Sequence, residues 1–194
     1  MDAIIYRLAD AARDLPTLVS LYDGAARWMQ DHDIDQWKPG EKDAEHFRHR
    51  ITEREKGEVW LAEAGGRIVG GFELWWEDVP AWGEQPPVAA YVHRLMVDRT
   101  SAPAGTGRAM LEQAERRTAE AGRGWCRLDC VASNPRLRTY YEGAGYTVVG
   151  EQPLKEGVGE GRYAVTLLEK RLVSADHWGV SAKSRLVRDA WHGT

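Results

Sequence analysis

The order of segments along this chain predicts an α/β fold: a mixed, mostly antiparallel central sheet of about seven strands, flanked by helices on both faces. Three observations carry the prediction. Short apolar runs of strand length alternate with stretches whose apolar residues recur at helical spacing. Gly65-Gly66 separates two neighbouring apolar runs, which is a hairpin signal. The chain has 194 residues, 43% hydrophobic and 29% charged, enough for one domain with a full core and too apolar for a disordered chain.

In order, residues 3–8 read as a short strand. Leu15, Leu18, Val19, Tyr22, Ala26 and Met29 recur at helical spacing, so a helix runs from Leu15 to about His32. Residues 34–40, with Pro39 and Gly40, read as a loop, and a second helix covers Asp43 to about Lys56, ended by Gly57. Val59–Ala64 and Ile68–Trp76 form the hairpin. A loop with Pro80, Gly83, Pro86 and Pro87 leads to a strand over Val88–Val97. Helices follow over Gly105–Ala121 and Pro135–Ala144, and strands over Trp125–Val131, Tyr146–Gly150 and Arg162–Leu172. Residues 1–173 are thus one domain. Residues 174–194 are charged and less periodic and read as a C-terminal extension.

Composition excludes several functions. A formal net charge of -4 gives no basic face for nucleic acid. No apolar run is long enough to span a membrane, and the N-terminus lacks an apolar stretch behind a basic start, so neither a membrane protein nor a secretory signal is expected. Cys126 and Cys130, four residues apart on one predicted strand, read as two buried free thiols in a cytoplasmic protein. With two cysteines and no clustered histidines, no metal site is expected.

The chemistry is concentrated in Tyr91-Val92-His93-Arg94-Leu95-Met96-Val97-Asp98-Arg99-Thr100-Ser101-Ala102-Pro103-Ala104-Gly105-Thr106-Gly107-Arg108-Ala109-Met110-Leu111. An apolar strand enters a small-residue loop that opens a helix. Such a helix N-terminus offers free N–H donors and partial positive charge to a phosphate, and glycines allow close approach. By itself this does not separate a phosphate loop from a tight turn. No Lys-Ser or Lys-Thr follows Gly107, so it is not a P-loop, and Met110 stands where a dinucleotide fingerprint needs its third glycine.

The segment resembles the acyl-CoA signature of the GNAT acetyltransferases: a strand ending in Leu-x-Val, here Leu95 and Val97, then Arg/Gln-x-x-Gly-x-Gly/Ala, here Ala102-Pro103-Ala104-Gly105-Thr106-Gly107. Ala102 replaces the usual Arg or Gln, and Pro103 a frequent Gly. A second match lies downstream, where Asn134-Pro135-Arg136-Leu137-Arg138-Thr139-Tyr140-Tyr141-Glu142-Gly143-Ala144-Gly145-Tyr146 is similar to the family's Asn…Tyr helix. The resemblance covers roughly residues 3–172. It implies acetyl-CoA as cofactor, held by Leu95, Met96, Val97, Ala102, Ala104, Gly105, Thr106, Gly107, Arg108, Asn134 and Tyr141. Many relatives pair as dimers, so it also allows a homodimer.

Acetylating an amine requires removing a proton from a group of pKa near 10, stabilising a developing oxyanion and protonating a departing thiolate. His93 is the first choice for base; the resemblance supports it, since a family relative has a catalytic His at the matching position. Glu73 on the preceding strand is the rival. Tyr141 is the candidate acid, and a strand amide near Leu95–Val97 the oxyanion donor. The resemblance implies that Trp37 and Asp35, and on the other side Trp76 and Trp82, wall the acceptor pocket, where aromatic and acidic groups suit a cationic amine. Strand alternation turns Arg94 away from it, and Glu77 and Asp78 at the strand's end are candidates to bind a cationic substrate, weighed against a charged strand end that is simply solvated. The reading is an acetyl-CoA-dependent N-acetyltransferase for a primary amine of a small molecule, by direct attack in a ternary complex. A protein or peptide N-acetyltransferase and a non-catalytic acyl-CoA sensor stand as alternatives.

Overall fold

A computed structural model describes residues 3–156 and 162–172. The C-terminal extension expected at 174–194 lies outside the described residues. Seven strands form one sheet in the order β1-β2-β3-β4-β5-β7-β6. They are β1 (Ile5–Leu8), β2 (Gly57–Ala64), β3 (Arg67–Trp75), β4 (Ala89–Val97), β5 (Trp125–Val131), β6 (Thr147–Glu156) and β7 (Arg162–Arg171). Every pairing is antiparallel except that of β4 with β5, which the crossover helix α4 (Thr106–Glu120) connects. The remaining helices are α1 (Leu15–Asp31), α2 (Ala44–Thr52), α3 (Val79–Trp82) and α5 (Pro135–Gly143). None of the described helices is long and apolar enough to cross a membrane.

Amphipathic helices cover both faces. On one, Leu15, Leu18, Tyr22 and Ala26 of α1 and Phe47 and Ile51 of α2 pack on Val59, Leu61 and Met96. On the other, Met110, Leu111 and Ala114 of α4 and Tyr141 of α5 pack on Phe72, Leu74, Val92, Leu128 and Leu168. A fully buried Leu in such a layer contributes about 2–3 kcal/mol. Both cysteines belong to this second layer, and burial pushes the Cys126 thiol up to about 12 and the Cys130 thiol up to about 11. Neither is in a state to act as a nucleophile at neutral pH.

Helix starts follow their caps. The Asp43 side chain accepts from the backbone N–H of His46 at 2.8 Å, and that of Asn134 from Leu137 at 3.1 Å, each satisfying an orphan donor of the first turn. Three departures from the sequence reading have local causes. Helix α2 ends at Thr52, short of Lys56, and Gly57 opens β2 instead of capping the helix. Glycine is needed there by the close approach of Trp75, whose ring atom Cε3 would lie 2.6 Å from an added Cβ. The Pro-rich loop contains the one-turn helix α3, started by Asp78, whose carboxylate accepts from the Ala81 N–H at 3.3 Å. Finally, β4 is bulged. His93 pairs with Glu73 and Met96 with Gly71, so three steps on β4 face two on β3. The extra residue puts Arg94 in the left-handed region, with φ 48°.

Candidate active site

The parallel β4–β5 ladder runs from Ala89↔Trp125 to Val92↔Leu128 and stops there. Residues 93–97 then diverge from β5, and a cavity of about 860 Å³ opens at the splay. His93, Arg94 and Leu95 line it from β4, Asp129 from β5, and Asn134, Leu137, Tyr140 and Tyr141 from the α5 segment. Trp28 and Met29 of α1, Trp37 of the loop after it, Arg50 of α2, Trp75 of β3 and Asp78 complete the wall. The strand alternation that would turn Arg94 away fails because the bulge resets it; Arg94 faces the cavity beside His93.

His93 is held in place. Its Nε2 lies 3.1 Å from the Asp78 carboxylate, which is itself buried at the foot of α3. Asp129 brings a second carboxylate, and ligand atoms of Asp78, His93 and Asp129 all lie within 4.8 Å of one another. Asp78 is therefore no solvated strand end. The contact is an ion-pair approach and not an aligned hydrogen bond, because the Asp78 Oδ2 that faces His93 makes no hydrogen bond.

Glu73 sits beneath this wall and does not line the cavity. It is fully buried, and its Oε2 accepts from Trp75 Nε1 at 2.8 Å and from Arg94 at 2.7 Å, with Arg50 Nε at 3.9 Å. Burial pushes its pKa up, but the guanidiniums of Arg94 and Arg50 and the Trp75 hydrogen bond outweigh that and hold it below the ordinary carboxylate range. The arginines also depress the His46 imidazole: burial first, then the charge of Arg94, lowers it to about 4.

Tyr141 is largely buried between Tyr140 and Tyr146, with ring centroids at 5.3 and 6.1 Å. Burial raises its pKa, so the phenol stays protonated and able to donate. Arg99 lies 3.7 Å above the Trp28 ring on the same cavity wall.

The loop before α4 suits a pyrophosphate. Gly105 caps the helix in the left-handed region at φ 86°, no side chain caps the N-terminus, and an added Cβ on Gly105 would meet no atom within 4 Å. The Thr106 N–H bonds back to Pro103 O at 3.2 Å, which leaves the amides of Gly107 and Arg108 as the first-turn donors for a ligand. Tyr140 closes one side, its hydroxyl 3.0 Å from where a Gly107 Cβ would stand. The Arg108 guanidinium donates to Gly143 O at 3.0 Å and ties α4 to the end of α5. Ala102, Pro103, Ala104 and Thr106 shape the loop, with the Thr106 hydroxyl donating to Pro103 O at 2.7 Å.

Besides Glu73, four expected site residues lie off the cavity lining. Asp35 is 88% exposed and pairs with Lys38, away from the cavity lining. Trp76 lies on the α4 side, beneath Arg117 and Arg123, because it alternates with Trp75. Trp82 packs edge-on to Tyr91 and under Arg127. The Met96 side chain is fully buried against α1 and α2, leaving only its backbone on the β4 edge. Sequence reasoning passed over Trp28, Arg50, Trp75 and Asp129. Two of these carried a signal: Trp75 shares the parity of Glu73, and Asp129 is a charge between Leu128 and Cys130, on the same strand face as Arg127.

Comparison with known proteins decides the family. Residues 26–167 match the family model of the GNAT acetyltransferase domain. The chain is 30% identical over 145 residues to the uncharacterized N-acetyltransferase YesJ of Bacillus subtilis (strain 168), covering 71% of this chain and 78% of that protein. The chain belongs to the GNAT acetyltransferase family. It is by that membership an acetyl-CoA-dependent N-acetyltransferase. Among solved structures, a GNAT-family acetyltransferase from Listeria monocytogenes 4b F2365 superposes with TM-score 0.67 at 26% identity, covering 87% of this chain and 95% of that one. The PaiA N-acetyltransferase from Thermoplasma acidophilum, solved in complex with coenzyme A, shares the fold with TM-score 0.63 at 19% identity over 87% and 99% of the two chains.

Proposed function

We propose that this GNAT enzyme acetylates the primary amine of a small molecule by direct attack in a ternary complex, with His93 as the base. The observation that carries the reading is the Asp78–His93 pair, fixed at 3.1 Å inside the cavity that also reaches Asn134 and Tyr141. Acetyl-CoA supplies the acetyl group as a thioester. The amides of Gly107 and Arg108 take its pyrophosphate, Asn134 its pantetheine arm, and the β4 edge at Leu95–Val97 offers an N–H toward the carbonyl, as the resemblance implies.

His93 accepts the ammonium proton, and Asp78 stabilises the imidazolium that forms. Asp129 beside them favours a cationic amine over the neutral form on entry. Tyr141 presents a protonated phenol where the thiol departs. Glu73 serves the site from below by holding Arg94 and Arg50, so His93 and not Glu73 is the base. The burial of both cysteines leaves no thiol to carry the acetyl group on the protein, which favours direct transfer.

A free-thiol assay across small primary amines and short peptides tests the acceptor. CoA release with one class of small amine is the expected result. Release with peptides but with none of the small amines would overturn the small-molecule reading and leave the acetyltransferase itself standing.

A further inference from the structure

The acceptor side of the cavity carries a charge pattern that acetyl transfer does not require. A base and an acidic neighbour suffice for an ammonium; guanidiniums do not help one. Yet Arg50 from α2 and Arg94 from β4 both line this wall and converge on one carboxylate, Glu73, with Nε of Arg50 at 3.9 Å and Arg94 at 2.7 Å. Glu73 is fully buried, whereas the two side chains keep 25% and 15% exposure toward the cavity. One buried carboxylate shared by two guanidiniums leaves this end of the wall the positive one, with Glu53 and Asp78 reaching Arg50 only at longer range. The Arg50 guanidinium lies 4.6 Å over the Trp75 ring, a platform that fixes its plane without neutralising it. Arg94 adopts a left-handed backbone at φ 48°, a strained conformation outside glycine. Glu53, which hydrogen-bonds Lys56, and Asp78 act on Arg50 only as charges at longer range, behind Glu73.

Next along β4, the sign reverses. Asp78, His93 and Asp129 bring two carboxylates and an imidazole within 4.8 Å of one another. The acceptor wall is thus bipolar, and its two poles are carried by consecutive residues, His93 and Arg94.

We infer that the acceptor is an amino acid in the broad sense, a small amine that also bears a carboxylate. This rests on the small-molecule reading above and narrows it. The ammonium lies at Asp78, His93 and Asp129, and the carboxylate on Arg50 and Arg94. A planar guanidinium pair suits a carboxylate by geometry, and a positive pole already partly compensated by Glu73 matches a monoanion better than a doubly charged phosphate.

The test compares amino acids with their amides and their decarboxylated amines, side chain held constant, by CoA release from the wild-type enzyme. Hydrogen bonds to charged groups contribute about 1.5–3 kcal/mol, so kcat/KM is expected to favour the carboxylate-bearing member by about tenfold to a hundredfold. Arg50→Gln is expected to raise KM for the amino acid and shrink that preference toward unity, with acetyl-CoA affinity measured alongside. Equal turnover of all three compounds by the wild type would overturn the carboxylate assignment while leaving the acetyltransferase reading intact. So would an Arg50→Gln enzyme that keeps the full preference. Acetyl-CoA binding without release for any amine would instead reject the small-amine reading, and this inference with it. The wild-type comparison decides even if Arg50→Gln does not fold.

Discussion

His93→Ala is expected to lower kcat by about a hundredfold to ten-thousandfold, the usual contribution of a positioned general base, while acetyl-CoA affinity changes little. The argument is geometric. His93 lines the acceptor side of the splay, with its Nε2 3.1 Å from the Asp78 carboxylate, so the imidazole stands where the amine enters and a charge waits for the imidazolium. Without it the amine must shed its proton to water, and an amine of pKa near 10 is almost wholly charged at neutral pH. The residual rate of the variant should therefore climb steadily with pH as the free amine accumulates. Asp78→Asn should cost less than His93→Ala, because the imidazole remains. Steady-state kinetics over a pH range, with acetyl-CoA binding measured separately, checks this. A variant retaining wild-type kcat would remove His93 from the mechanism.

Glu73→Gln is expected to damage stability and activity together. Its carboxylate is fully buried and receives Arg94, Trp75 and, at longer range, Arg50. Removing one partner of a buried ion pair costs about 3–5 kcal/mol, because the remaining charge loses its compensation. Here two guanidiniums lose it, although their partial exposure to the cavity softens the penalty, so about 3 kcal/mol is the expected loss on chemical denaturation. Trp75, anchored by its Nε1–H on Glu73, would lose its fixed orientation in the cavity wall. The sign of the pH effect follows from the lowered pKa of Glu73. The unfolded chain takes up its proton at a higher pH than the folded one, so the stabilisation is present above the unfolded carboxylate range and is lost as pH falls through the folded value. The acid-side loss of stability should be shallower in Glu73→Gln. Unchanged stability and unchanged turnover would contradict the structural role given to this residue.

The fold was legible because its signals are local. Periodicity placed α1 and α4, Gly65-Gly66 marked the hairpin, and the Leu95…Gly107 and Asn134…Tyr141 segments carried the family resemblance in the right order. The site was legible where it rests on those segments. It was not legible where it depends on a register shift. The one-residue bulge in β4 brings Arg94 to the cavity, and no alternation rule foresees that. Trp76 and Trp82 were misplaced for the opposite reason: Trp75 and not Trp76 has the inward parity, and α3, hidden among prolines, carries Trp82 to the Tyr91 side. Arg50 reaches the site only through the packing of α2 on β2, a long-range fact with no short-range signature. Asp78 looked like a charged strand end until its capping bond to Ala81 and its contact with His93 were seen together.

The loop before α4 is expected to receive acetyl-CoA at its backbone amides, with Gly105 leaving room for the pyrophosphate to approach. Calorimetric titration with acetyl-CoA of the wild type and of Gly105→Val tests it most directly. An added side chain would stand in the open space before the helix and would strain a backbone held at φ 86°. The account predicts one site per chain in the wild type and binding weakened about tenfold or more in the variant, the equivalent of about 1.4 kcal/mol. Absence of binding by the wild type, or full affinity in Gly105→Val, would contradict it.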